Sequence, residues 1–575
     1  MLTTDTDTLV DALRDTARSL GDAHGLTYYT TPDDVSYRGY AELDRRARTI
    51  ADALIRRGFR PGQIVTIGLT AGLDWADAAF GTLYAGLAFV PAPVAGYGTG
   101  AALGERVASI AQAAESVAFL TDPGVVARLG DELADRGIAS ILLEDLLAEG
   151  DPDAWTPPPI DRDAIAYLLY TSGSTGDPKG VIATHGTVAA TADSEIFRNG
   201  PEAVMVGWSP MHHIMGLLLN VVIPAVNGSQ AVITATEQFQ RRPVFWLQLI
   251  SRHRGTISAG GNFAFALCTQ LATDEQIAEL DLSCVESLFS GSEPVRPETV
   301  SAFLERFAPT GITRDQITPV MGMTEAQLIT SKFPDEELVI RRFDASALEA
   351  GRLQPATGEG TVEWVSCGRA RSDTSVVIVD PDTLLPVDDG VVGEIWVSGP
   401  MVAPGYFRRP DATAETFGHS LPGREGSYMR TGDLAAWLDG QLYVTGRLKE
   451  MIIIRGRNLY PADIEMAARA LSPAVGIGAA FELQDHPSAV GIALEIDPDE
   501  LAASGEDVDG LAARIRAGLT ARISLPSLGV ALVAPGVLPR TPTGKVRRTP
   551  TRTILERGEL DTLHLSGFRP VPLSV

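Results

Sequence analysis

The chain predicts an α/β protein: a large N-terminal domain built of α/β subdomains with mostly parallel sheets, and a small α/β lobe at the C-terminal end. Three observations carry that expectation. The 575 residues exceed what one hydrophobic core usually serves. Strand-length apolar runs alternate with helix-length periodic segments through the N-terminal third. The same alternation resumes on a smaller scale after Gly446–Glu450, which reads as a linker.

The elements follow in order. Residues 40–60, YAELDRRARTIADALIRRGFR, place apolar side chains at helical spacing, and Gly58 is the expected stop. PGQIVTIGLT is a strand, and DWADAAFGTLYAGLAFVPAPV a helix followed by a second strand. Val117–Leu120 and Ile138–Leu143 continue the alternation. Asp151–Pro159, DPDAWTPPP, is a proline-rich surface connection, Ala164–Thr171 an apolar strand and Gly186–Phe197 a helix. The longest apolar run, Leu217–Ile233, is broken by Asn220, Pro224, Asn227 and Gly228, so it is a buried strand or helix pair and not a membrane span. In the last lobe, Gln441–Thr445 and MIIIRG are strands, Pro461–Leu471 is a helix, and Val475–Ile496 holds two more strands. Asp463 and Glu465 stand near that helix's start, where its dipole favours acids.

Composition narrows the function. A net charge of −26 argues against nucleic-acid binding, which needs a basic face. Cys268, Cys284 and Cys367 are scattered, without disulfide or zinc spacing. MLTTDTDTLVDALRD is acidic and lacks a signal-peptide core, so a cytoplasmic enzyme is expected. Only four of the 47 basic residues are lysines: Lys179, Lys332, Lys449 and Lys545. Where arginine is the default cation, a lysine can mark a place that needs a compact ammonium.

The segment Tyr170–Gly180, YTSGSTGDPKG, has seven Gly, Ser or Thr residues among its eleven. Glycines bring backbone N–H groups close to a ligand, hydroxyls add donors, and such a loop can wrap phosphate oxygens. It is not of the GxxxxGK[ST] type, because no Gly-Lys-Ser/Thr falls at the required offset.

This string closely resembles the signature phosphate loop of the adenylate-forming superfamily, which includes acyl-CoA synthetases, peptide-synthetase adenylation domains, luciferases and fatty acyl-AMP ligases. Five more segments resemble the family's motifs in the family's order: GSEPVRPET at Gly291–Thr299, GMTEA at Gly322–Ala326, YMRTGDL at Tyr428–Leu434, GRLKEMIIIRGRNLYPADIE at Gly446–Glu465 and PRTPTGKVRR at Pro539–Arg548. ISRHRGTISAGGNFAFALC, GSEPVRPETVSAFLERFAP and IIIRGRNLYPADIE are most similar to the fatty acyl-AMP ligase branch. Between Glu325 and Cys367 lie 41 residues, and the stretch 332–363 resembles the insertion that sets these ligases apart and hinders use of free CoA.

The resemblance implies a division into a large adenylation domain, 1–447, and a small mobile domain, 448–575. It implies ATP and Mg2+ as substrate and cofactor. A carboxylic, fatty acid would attack the α-phosphate and release pyrophosphate. The acyl group would then pass to the phosphopantetheine thiol of an acyl carrier protein, expected in trans because no carrier domain follows Val575. An acyl-CoA synthetase and a non-catalytic adenylate-binding protein remain as alternatives.

The implied roles fall on named residues. Thr171, Ser172, Gly173, Ser174, Thr175, Gly176 and Lys179 cradle the β- and γ-phosphates. Gly291, Ser292, Glu293, Met321 and Gly322 belong to the adenine segments. Thr324 meets the α-phosphate, and Glu325 is the metal ligand, a carboxylate suited to a hard ion. Asp433 accepts both ribose hydroxyls, two oxygens facing a vicinal diol, with Arg447 beside it. Lys545 bridges the attacking carboxylate and the α-phosphate, offsetting their repulsion. Lys449 is the hinge, and Lys332 is expected at the surface. Trp208, His213, Met215, Asn262, Phe263 and Phe265 are expected to line the acyl tunnel. Two positions depart from the family pattern: Ile214 where the ligases carry Asp, and Met321 where an aromatic residue usually stacks on adenine.

Overall fold

The computed structural model describes residues 8–94, 103–171, 179–197, 200–454, 457–483, 490–523, 528–540 and 546–568. The N-terminal part is organised by two large sheets. One has six strands in the order 140–142, 118–121, 64–68, 88–91, 165–171 and 179–184, parallel except for the last pair. The other has nine strands, with a parallel centre formed by 25–31, 230–234, 204–207, 257–260, 287–290 and 317–323, and antiparallel strands at its edges. Between them, the helix Tyr40–Arg56 buries Tyr40, Leu43, Ala47, Ile50 and Leu54, a stripe at helical spacing. It ends just before Gly58, which takes a φ of +91°. The expected helix at 186–197 is shorter, His185–Ala192, and starts on a capping box made by Thr184 and Thr187.

The apolar run 217–233 resolves into helical turns, Leu217–Asn227, and the strand Gln230–Thr234, with Gly228 in the left-handed region between them. The proline-rich connection 151–159 is not wholly superficial. Trp155 is buried, and its indole N–H donates to the Tyr84 carbonyl at 3.0 Å.

A third, antiparallel sheet joins 375–379, 393–398, 429–438 and 441–447. The stretch 332–363 forms the strand Ile340–Asp344 and the helix Ala345–Glu349, and the strand pairs with Thr361–Val365. Phe343, Leu348 and Leu353 pack with Leu434, Tyr443 and Tyr460, so this segment touches both the third sheet and the C-terminal lobe. Lys332, expected at the surface, is buried at 3% exposure. Its ammonium donates to the Phe333 carbonyl at 2.9 Å, and burial lowers its pKa. The strand Gln327–Ser331 delivers it into the interior, so a hydrophobic stem and one carbonyl replace water around it.

After Arg447 the chain builds its own unit. A short hairpin, 452–454 with 457–459, precedes a sheet of 475–482, 490–496, 528–533 and 564–566. Two hydrophobic clusters in this region draw only on residues from Ile452 onward. A separate core of this kind is what makes a lobe a domain. Among the described residues no helix is long and apolar enough to cross a membrane.

Candidate active site

The carboxyl ends of the parallel strands in the nine-stranded sheet converge on one place, which is where open α/β sheets bind ligands. Trp208 follows strand 204–207, Asn262 and Phe263 follow 257–260, Ser292 and Glu293 follow 287–290, and Thr324 follows 317–323. A cleft opens there. Its walls include Trp208, His213, Met215 and Phe263 from the expected acyl set, and Ser292 and Glu293 from the expected adenine set. Trp208 stacks flat on Phe239, with centroids 3.7 Å apart, and meets Phe263 edge-on. Trp208 also lines a second pocket that reaches Trp75, Val94 and His212.

Two expected acyl contacts do not line this cleft. Phe265 sits two residues beyond Phe263 on the helix Asn262–Leu271, some 200° around its axis, and packs against Trp246 and Phe303 in the core. Asn262 spends its amide locally: its nitrogen donates to Thr299 at 3.1 Å and its oxygen accepts from Arg296 N–H at 3.0 Å. His213 Nδ1 accepts the Met215 N–H at 3.3 Å, capping the short helix Ile214–Gly216.

Glu293 accepts from the Phe263 N–H at 2.6 Å, tying the expected adenine segment to the expected acyl wall. Ser292 holds a φ of +65°, a conformation unusual for a residue with a side chain. Met321 is buried in a cluster with Val181, Ala326 and Ile329. Gly322 cannot be replaced without collision, because a Cβ there would lie 2.2 Å from the Gln327 carbonyl oxygen.

Thr324 and Glu325 form the turn between strands 317–323 and 327–331. Glu325 is only 8% exposed; burial raises its pKa, and a hydrogen bond from Tyr406 opposes the rise. Thr171 and Lys179 are register partners at the two ends of the Gly/Ser/Thr-rich segment. Ser172, Gly173, Ser174, Thr175 and Gly176 lie outside the described residues, as does the Thr171 side chain. The Lys179 ammonium lies 4.9 Å from the centre of the Tyr406 ring.

Asp433 and Arg447 face each other across adjacent strands, and Arg447 Nε donates to Asp433 Oδ1 at 2.8 Å. Asp433 holds the guanidinium pKa above its ordinary value. Behind them Glu394, buried, accepts from Gly432 N–H, Trp396 and Arg430, and so fixes the Thr-Gly-Asp turn. Lys449 is exposed in the turn that follows, where the Arg447 carbonyl accepts from the N–H groups of Glu450 and Met451. Lys545 lies outside the described residues. Its flanks are held: Arg540 bridges to Val546, and Arg548 is forked onto Glu465.

Tyr406 and Glu394 are not flagged by any motif quoted above. The only hint of Glu394 is one acid in the strand VVGEIWVSG, whose neighbours Ile395, Trp396 and Val397 are all buried.

Comparison with known proteins identifies the family. A profile described as AMP-binding enzyme matches residues 13–407. The medium-chain-fatty-acid–acyl-carrier-protein ligase JamA of Moorena producens is 35% identical over 92% of this chain and 91% of its own length. The long-chain-fatty-acid–AMP ligase FadD26 of Mycobacterium marinum is 35% identical over 90% of this chain and 92% of its own. A solved structure from a study of the fatty acyl-adenylate ligases of E. coli and L. pneumophila superposes with a TM-score of 0.86 at 29% identity, covering 96% of this chain and 98% of that one. A fatty acyl-adenylate ligase from L. pneumophila, solved with acyl adenylate and pyrophosphate, gives a TM-score of 0.74 at 30% identity over 98% of both chains. By the span of the profile and the reach of these likenesses, the chain belongs to the AMP-binding enzyme family and, within it, to the fatty acyl-AMP ligase branch.

Proposed function

We propose that the enzyme joins a fatty acid to the α-phosphate of ATP, releases pyrophosphate, and passes the acyl group to the phosphopantetheine thiol of a separate carrier protein. One observation carries the first half: a single cleft has an apolar wall of Trp208, Met215 and Phe263 and a polar wall of Ser292 and Glu293. An acyl chain and a nucleotide placed on those walls meet at its centre.

Attack of a carboxylate on phosphate brings two anions together, so catalysis rests on positioning and on offsetting charge. Trp208, Met215 and Phe263 bind the chain, and His213 borders its polar end. Thr171–Lys179 hold the β- and γ-phosphates, Thr324 the α-phosphate, and Asp433 with Arg447 the ribose. Lys545 enters from the C-terminal lobe between the carboxylate and the α-phosphate. Turning at Lys449 then exchanges that lysine for the carrier thiol.

A buried carboxylate such as that of Glu325 suits Mg2+, which is held through one or two carboxylates plus substrate phosphates and not by a protein cage. Among the described residues no group of three or more His, Cys, Asp or Glu forms such a cage. Glu325 would hold the ion, which supplies charge neutralisation on the phosphates.

The carrier as acceptor is supported by JamA, whose name gives an acyl-carrier-protein ligase. The segment 332–363 contacts the C-terminal lobe, a contact suited to restricting its turning. The test is ATP–pyrophosphate exchange across a panel of fatty acids, followed by acyl loading of a phosphopantetheinylated carrier with free CoA as competitor. Acid-dependent exchange with carrier loading and little acyl-CoA is expected. Efficient acyl-CoA formation would make it a CoA synthetase, and no exchange with any acid would leave a binding protein.

A further inference from the structure

Tyr406 sits between two charged groups of opposite sign that the reaction needs separately. Its backbone is fixed against the strand that leaves the phosphate loop: Ile182 N–H donates to the Gly405 carbonyl at 3.1 Å, and Phe407 N–H to the Gly180 carbonyl at 2.8 Å. That pairing sets Tyr406 opposite Val181, two residues from Lys179. The phenol O–H donates to Glu325 Oε1 at 2.9 Å, and Ala403 N–H donates to the Glu325 carbonyl at 2.8 Å. The ring also meets Phe417 edge-on, so the tyrosine has little room to turn. Lys179 lies over one part of this side chain and Glu325 at its tip, and no ion pair joins them.

An ammonium and a buried carboxylate that contact the same side chain would gain from pairing directly. Such a pair would occupy the cation meant for phosphate and the carboxylate meant for the metal ion. We propose that Tyr406 is a positioning residue that keeps Lys179 and Glu325 apart and aimed: the ring face rests the ammonium, and the hydroxyl holds the carboxylate. The role rests on the nucleotide reading given under Proposed function. Its two halves are separable. Tyr406→Phe keeps the ring and removes the hydroxyl. Tyr406→Leu removes both and opens a path from Lys179 to Glu325.

The test uses the full chain, the non-hydrolysable analogue α,β-methylene-ATP, and Mn2+ as the metal probe. Calorimetry reads analogue affinity without divalent ion, and electron paramagnetic resonance reads bound Mn2+ in the ternary complex. Tyr406→Phe is expected to weaken Mn2+ binding about 10-fold, the scale of one hydrogen bond to a charged group, with metal-free analogue affinity unchanged within about twofold. Tyr406→Leu is expected to weaken both. Adding Glu325→Gln to Tyr406→Leu should restore metal-free analogue affinity, because the competing carboxylate is gone; a merely structural role gives no such rescue. Unchanged affinity in Tyr406→Leu, or failure of Glu325→Gln to restore it, overturns the role while leaving the nucleotide reading intact. A wild-type chain that binds no analogue overturns that reading and this role together.

Discussion

Arg457 of the C-terminal lobe grips Glu349 of the segment 332–363 as a fork, Nε to Oε2 at 2.8 Å and Nη2 to Oε1 at 2.7 Å. Beside it Tyr460 packs with Phe343 and Leu348. Among the described residues the lobe is therefore tied to this segment by a planar ion pair and by apolar packing. The pair is about one-third exposed, so its worth to overall stability is below about 1 kcal/mol. Its leverage is on orientation. Arg457→Ala is expected to leave the melting temperature nearly unchanged and the rate of acyl-adenylate formation intact. CoA-dependent release of AMP should rise several-fold, because the lobe turns more freely. A CoA-dependent rate equal to that of the wild type would show that the tie does not limit turning.

The Asp433–Arg447 pair gives a second expectation. Asp433 is buried, and Arg447 is its partner across the sheet. Removing the guanidinium takes away that charge-assisted bond and loosens the aim of the carboxylate proposed to meet the ribose. Arg447→Ala should raise the KM for ATP about 10-fold, with a smaller change in the KM for the acid. Initial-rate kinetics against each substrate separates the two.

Arg548 tests the integrity of the C-terminal lobe. It donates to Glu465 through Nε and Nη2, at 2.7 and 2.9 Å, and to Glu450 through Nη1 at 2.6 Å. Glu465 is buried and also accepts from Ala480 N–H. Arg548→Ala strands that carboxylate, a loss of roughly 3–5 kcal/mol for a buried pair broken from one side. Arg548→Lys restores the charge but not the fork, and should recover only part. Scanning calorimetry should show an early transition assignable to the lobe.

His185 supplies a pH dependence. It is buried, its Nδ1 accepts the Leu9 N–H at 3.2 Å, and burial lowers its pKa from 6.5 to about 4. The acceptor role requires the neutral ring. Unfolded chain therefore takes up a proton first as pH falls, and this group's stability is full above pH 6.5 and lost toward pH 4. The whole loss is on the order of 3 kcal/mol. Denaturant melts at pH 7 and pH 4.5 should differ more in the wild type than in His185→Gln.

Much of this site was legible because its residues lie in short contiguous strings. The turn at Glu325, the pair of Asp433 and Arg447 and the strand before Lys179 each appear where a motif placed a loop next to a strand end. What was not legible depends on which face of an element points where. Phe263 and Phe265 read alike in FAF, but helical rotation sends one to the cleft and the other to the core. Lys332 looked like a surface cation, yet its strand enters the interior. Tyr406 is separated from Glu325 by 80 residues and from Lys179 by still more, so only the folded chain brings the three together.

The central claim is that one ammonium of the C-terminal lobe allows a fatty carboxylate and a nucleotide phosphate to react. The most direct measurement is fatty-acid-dependent pyrophosphate formation by wild type and Lys545→Ala, with folding checked by circular dichroism. A fall of about 100-fold or more, the scale of losing one electrostatic donor to the transition state, is predicted. Undiminished pyrophosphate formation in Lys545→Ala would contradict it.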